Sequence, residues 1–200
     1  MLINHSSQHP RANELILDDY NTADKEWLIT DLNRIVPLSQ ITLLYVISYG
    51  SQVDKLIEIL YHAHNLVSLE LYDRLQLPTD PWSAEQQAKI EHLISNSKIT
   101  KLYIINGHEY PLKLIQFLID LCPRLNYLQI DTTKEIVELV KRLVLSKNIN
   151  KNGHNLFWLH ISNIKRPIVE RLLAMINDKK KLHNDYSMDY ADECDLYLWW

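Results

Sequence analysis

The sequence predicts an α/β fold: a repeated strand-then-helix unit, with parallel strands side by side on a concave face and helices on the convex face. Three observations predict it. A six-residue frame with aliphatic residues at its first, fourth and sixth positions recurs along the chain. Between copies the apolar period shifts from the alternation of a strand to the i, i+3, i+4 spacing of a helix. No stretch rich in proline, glycine and serine breaks the pattern, so residues 12–200 read as a single domain of about six to seven repeats behind a flexible lead-in over residues 1–11.

The frame is complete five times. ITLLYV carries Ile41, Leu44 and Val46; LVSLEL carries Leu66, Leu69 and Leu71; ITKLYI carries Ile99, Leu102 and Ile104. LNYLQI carries Leu125, Leu128 and Ile130, and LFWLHI carries Leu156, Leu159 and Ile161. Their starts lie 25, 33, 26 and 31 residues apart. A weaker copy with Ala12, Leu15 and Leu17 precedes them, and a degenerate one with Glu193, Leu196 and Leu198 closes the series as a final strand. One unit of this kind cannot bury its own apolar faces; stacked units can.

Taken in order, ELILDDY (14–20) is the first strand, with Asp18 and Asp19 guarding an exposed edge. A helix over 24–36 turns Trp27, Leu28, Leu32 and Ile35 inward and stops at Pro37. Strand 41–47 leads to a helix over 52–63 with Ser51 as its N-cap. After strand 66–72 comes RLQLPTDPW (74–82), a two-proline loop whose Trp82 reads as a lid on the core, with an exposed anchor for a partner as the alternative. Ser83-Ala84-Glu85-Gln86 and Thr132-Thr133-Lys134-Glu135 are capping boxes, each where a strand gives way to a helix. Pro111 and Pro167 sit near the starts of helices over 109–122 and 166–178. NINKNGHN (148–155) is a polar loop, and the charged blocks beyond residue 178 form a solvated, mutually paired face.

Composition narrows function. Leucine and isoleucine make up more than a quarter of the chain, and three glycines leave no room for a glycine-rich phosphate loop. A net charge of −4 with a pI near 6.1 argues against a general nucleic-acid binder. No apolar run approaches the roughly 18 residues of a membrane span, and no secretory signal is expected. Two cysteines, Cys122 and Cys194, make no disulfide framework, so an intracellular setting, cytoplasmic or nuclear, is expected.

No metal or cofactor is expected. His5 and His9 lie i, i+4, but Ser6, Ser7 and Pro10 disfavour the helix such a pair needs. His62 and His64, at i, i+2, do not share a helix face. There is no C-x-x-C, H-E-x-x-H, G-x-S-x-G or Walker loop, so the chain does not read as an enzyme. The catalytic alternative requires His160 to meet Glu70 or Asp131 in a cleft.

What the frame does predict is a surface. Frame positions point to the core and the residues between them point to the open face. The candidate protein-binding residues there are Tyr45, Glu70, Tyr72, Lys101, Tyr103, Tyr127, Gln129, Trp158, His160 and Tyr197. Tyrosine and tryptophan offer large contact area with a polar tip, and both are frequent in interface hot spots. Aromatic residues also favour strands for packing reasons alone.

The L-x-x-L-x-L frame in strand-then-helix units resembles the leucine-rich repeat family. The Cys-Pro-x-Leu-x-x-Leu-x-Ile form at 122–130 is similar to the repeats of F-box/leucine-rich-repeat proteins. That resemblance implies a leucine-rich-repeat solenoid that holds a protein substrate on its concave face. It implies contact with the Skp1–cullin ligase machinery only through an F-box on a longer chain, because no such helix bundle is visible before the first repeat. The alternative is a stand-alone binder or inhibitor of the ribonuclease-inhibitor-like kind.

Overall fold

The computed structural model describes residues 13–18, 25–47, 51–72, 75–105, 110–131, 135–145, 158–180, 187–191 and 194–199. Several expectations lie outside the described residues: the lead-in over 1–11 with its histidines, Ala12, Asp19, Leu156, residues 132–134 of the second capping box, and the loop over 148–155. The side chains of Trp27 and Leu28, and most of the charged block from 177 onward, do so as well.

The elements run β1 (Glu14–Asp18), α1 (Lys25–Ile35), a 3-10 turn (Leu38–Gln40), β2 (Leu43–Ile47), β3 (Ser51–Gln52) and α2 (Val53–His62). Then follow β4 (Ser68–Tyr72), β5 (Leu75–Gln76), α3 (Ala84–Asn96), β6 (Lys101–Ile105), α4 (Leu112–Asp120), β7 (Tyr127–Asp131) and α5 (Ile136–Leu145). The series ends with β8 (Trp158–Ser162), α6 (Arg166–Lys180), β9 (Ser187–Ala191) and β10 (Asp195–Trp199).

Eight strands form one sheet in the order β1-β2-β4-β6-β7-β8-β10-β9. From β1 to β8 the strands are parallel and in register, so that Leu44, Leu69, Leu102, Leu128 and Leu159 lie side by side. The last two strands depart from the expected parallel array. β10 runs antiparallel to β8 and pairs antiparallel with β9. The cause is connection length: only three residues separate β9 from β10, and a link that short joins antiparallel strands, whereas a parallel pair needs a crossover of a dozen residues or more. A second, two-strand sheet pairs β3 with β5.

One face of the sheet is sealed. Leu44, Leu102, Leu128, Ile104, Ile130, Leu159 and Ile161 are fully buried, and together with the inward residues of the helices they form a continuous core. Burying each such side chain contributes about 1.5–3 kcal/mol. The helices over that face pack on one another, α1 on α2, α2 on α3 and α5 on α6. Leu56, Ile57, Ile59 and Leu60 are buried on α2, and Leu114, Ile115, Leu118 and Ile119 on α4, as the sequence spacing suggests. On α1 Leu32 is buried as expected, but Ile35 is 45% exposed and Ile29 takes the inward place instead.

The unit repeats down to its hydrogen bonds. The carbonyl of Asn13 accepts from the N–H groups of Thr42 and Leu43. The carbonyls of Thr42, Val67 and Thr100 accept in the same way from the paired N–H groups of Val67 and Ser68, Thr100 and Lys101, and Asn126 and Tyr127. A turn precedes the strand, closed by Ile41 N–H on Leu38 O, Leu66 on Ala63 and Leu125 on Cys122. Leu38, Ala63 and Cys122 therefore hold equivalent buried places, which explains an apolar residue or cysteine before Pro123. Ile41, Leu66, Ile99 and Leu125, the first aliphatic residues of their frames, are buried ahead of the strand, so β2, β4, β6 and β7 start two residues later than the frame suggests.

Capping follows the sequence at α3. Ser83 Oγ accepts from Gln86 N–H at 3.2 Å, while Ser83 N–H donates to Gln86 Oε1 at 3.0 Å. Ser51 does not begin α2 as expected; it lies in β3, and the helix starts at Val53. Glu135, expected to complete the second capping box, has its Oε2 3.1 Å from the Leu112 N–H at the start of α4. Trp82 stacks on Phe117, 5.7 Å between centroids, and both rings pack on the core.

Candidate functional site

The open face is set by strand alternation. With the aliphatic residues turned to the helices, the residues between them face away. Register places Tyr45, Glu70, Tyr103, Gln129, His160 and Tyr197 in one row across six neighbouring strands. A second row holds Ser68, Lys101, Tyr127 and Trp158. The antiparallel course of β10 puts Trp199 in that row, opposite Trp158, where a parallel strand would have put Asp195. The third row holds Ile47 and Tyr72, then Asp131 beside Ser162.

Three groups form within these rows. At β2–β4–β6, Tyr72 donates its hydroxyl to Glu70 Oε2 at 3.0 Å and stacks on Tyr45 at 6.4 Å. At β6–β7, the Tyr103 and Tyr127 rings lie 5.2 Å apart, and the Tyr127 hydroxyl donates to Gln129 Oε1 at 3.1 Å. At β8–β10, Trp158 stacks on Trp199 at 5.3 Å and His160 on Tyr197 at 4.4 Å. Trp158 remains 39% exposed, so the platform is presented to solvent.

The electrostatics follow from partial burial. Burial pushes the Glu70 carboxyl up; the Tyr72 hydrogen bond opposes this and the Glu14 charge adds to it. Tyr72 is pushed up to about 12 by burial and then by its bond to Glu70. Tyr127 is pushed up to about 12 by burial, with the neighbouring Tyr103 and Tyr197 adding to it. These hydroxyls are neutral donors at physiological pH.

His160 does not meet Glu70. Two strands, β6 and β7, stand between β4 and β8, a separation of about 14 Å at ~4.8 Å per strand. Asp131 is engaged by Ser162 Oγ and, at 3.5 Å, by Asn163 Nδ2. The acid beside His160 is Asp195, with Oδ2 3.6 Å from Nε2; at that distance the contact is ionic only when the ring is protonated, and it is not a hydrogen bond. Alternation in DLYLWW puts Asp195 and Trp199 on the open face but does not reveal strand direction, so a parallel reading exchanges their rows. The short link back to Ser187–Ala191 is the signal that could have revealed it.

Among the described residues no group of three or more histidine, cysteine, aspartate or glutamate side chains could hold a metal ion. Among them, too, no helix is long and apolar enough to cross a membrane. A pocket lined by Tyr61, His64, His92 and Lys98 lies between the ends of α2 and α3, away from the open face. No protein-family model matches the chain, and neither a curated protein nor a solved structure matches it.

Proposed function

We propose that the chain is a protein-recognition module of the leucine-rich-repeat solenoid type, taking a protein ligand on the concave, open face of its sheet. The observation that carries this reading is the register-aligned row from Tyr45 to Tyr197, bordered by Tyr127, Trp158 and Trp199. Aromatic groups with polar tips on a rigid sheet supply contact area at little entropic cost. The opposite face is occupied by the chain's own helices, which leaves this one for a partner. Within that class, the reading extends to a substrate-recognition domain of the F-box/leucine-rich-repeat receptor kind, working inside the cell. The ligase machinery would be reached only through an F-box on a longer chain.

The test is affinity capture with wild type beside a Tyr103→Ala/Trp158→Ala variant, both verified as folded by circular dichroism. A protein held by wild type and lost from the variant supports the reading. The same proteins on both baits overturn it. Purified Skp1 is expected not to bind this chain alone. A captured partner that is blocked rather than ubiquitinated would move the assignment to a stand-alone inhibitor.

A further inference from the structure

One carboxylate on the open face is enclosed by aromatic side chains. Glu70 has Tyr45 beside it on β2 and Tyr103 beside it on β6, each at the same register position, and Tyr72 two residues along its own strand. The Tyr72 hydroxyl holds one oxygen, Oε2, at 3.0 Å. We propose that Glu70 with Tyr45, Tyr72 and Tyr103 forms a seat for an arginine side chain of the protein ligand; this rests on the open face being the ligand-binding surface.

The chemistry selects the occupant. A carboxylate accepts about four hydrogen bonds, and one tyrosine hydroxyl satisfies only one, so most of its acceptor capacity remains. Glu14 lies close enough to add its negative charge at Glu70, and burial disfavours the charged carboxylate further. An arriving cation relieves both. Among the described residues no lysine, arginine or histidine lies within ion-pair distance of Glu70. The nearest same-face candidate on β6 is Lys101, which stands opposite Ser68, one step off the Glu70–Tyr103 pair.

Arginine fits better than lysine for two reasons. Its planar fork matches a carboxylate through two parallel hydrogen bonds, and its flat face stacks on aromatic rings. The Tyr45 and Tyr72 rings are inclined by only 28° at 6.4 Å, so they present a nearly continuous π surface beside the carboxylate.

The experiment titrates the folded protein with Nα-acetyl-arginine amide, Nα-acetyl-lysine amide and Nα-acetyl-norleucine amide. The readout is the ring-proton NMR shifts of Tyr45, Tyr72 and Tyr103. The arginine probe is expected to move all three rings, the lysine probe to bind more weakly, and the norleucine probe to leave them unmoved. Glu70→Gln is expected to raise the arginine dissociation constant by about tenfold or more. Glu91→Gln, which removes one charge from exposed α3, is expected to leave it unchanged. Unmoved rings in wild type, equal binding of lysine and arginine, or an unchanged constant in Glu70→Gln would each overturn the seat. A partner retained by Glu70→Gln but lost from Tyr103→Ala/Trp158→Ala would overturn the arginine seat and leave the recognition face standing. Equal capture by all three proteins would remove both.

Discussion

Lys89 on α3 places its ammonium 2.7 Å from Glu58 Oε2 on α2 and 2.6 Å from Glu85 Oε1 one turn back on its own helix. The bridge joins two neighbouring units on the helix side, and only 18% of the Lys89 side chain is exposed. Lys89→Met is expected to cost about 1–2 kcal/mol in urea unfolding, with a double-mutant cycle against Glu58→Gln isolating the pair. Burial pulls the Lys89 pKa down, but the hydrogen bonds to Glu58 and Glu85 outweigh it, so the net shift is upward from 10.5. The contribution is therefore complete below pH 10.5 and lost as pH rises through the higher folded-state value. A wild-type advantage over Lys89→Met that persisted far above that pH would contradict the assignment.

The aliphatic ladder under the sheet carries the fold. Leu102 is fully buried between Leu69 and Leu128, so Leu102→Ala is expected to cost about 2–5 kcal/mol. Ile94 on α3 is 42% exposed, and Ile94→Ala is expected to stay within about 0.5 kcal/mol of wild type. Denaturant midpoints compared at constant slope test both. Similar losses at the two sites would show that the sheet face is not the core.

Asn163, just after β8, adopts a φ of 56° and donates towards Asp131, which also accepts from Ser162. That backbone region suits asparagine and glycine and penalises β-branched residues. Asn163→Val is expected to destabilise by about 1–2 kcal/mol, and Asn163→Gly by clearly less. The order of the two melting temperatures decides the matter.

The two thiols are expected to behave differently. Cys122 is buried, and burial pushes its thiol from 9.0 up to about 12, whereas Cys194 is exposed. A thiol reagent should label one cysteine quickly and the second only on unfolding. Because the unfolded thiol ionises more readily, the stability due to neutral Cys122 is present below pH 9 and is lost as pH rises from there towards about 12. Rapid labelling of two thiols in the native protein would refute this.

Strands β2, β4, β6, β7 and β8 were legible because each carries two buried aliphatic residues flanking an outward one, as in Leu44, Tyr45 and Val46. The two-residue strands β3 and β5 were not: Ser51 reads as a helix N-cap and Leu75–Gln76 falls in a stretch whose prolines suggest only a loop. Ser83 and Gln86 were legible because a capping box is local chemistry. Direction was not: Leu196 and Leu198 alternate in the same way whichever way the strand runs, so β10 was expected to be parallel. β9 escaped notice because Asp189 and its charged neighbours suggested a solvated block, while Met188 and Tyr190 in fact pack on the core. On the open face, alternation placed all ten candidate residues on their strands. It could not show that Tyr72 holds Glu70 or that Tyr127 holds Gln129, because those bonds depend on rotamers. Nor could it seat Trp199 against Trp158.

The repeated carbonyl stitch from Asn13 to Asn126 has a mechanical consequence. The outermost strands, β1 and β9, sit at opposite edges of the sheet, so a pull applied through them loads the ladders in series rather than all at once. Such an array should yield stepwise, peeling one strand–helix segment at a time. With 25 to 33 residues per complete segment, each rip would release roughly 80–110 Å of slack.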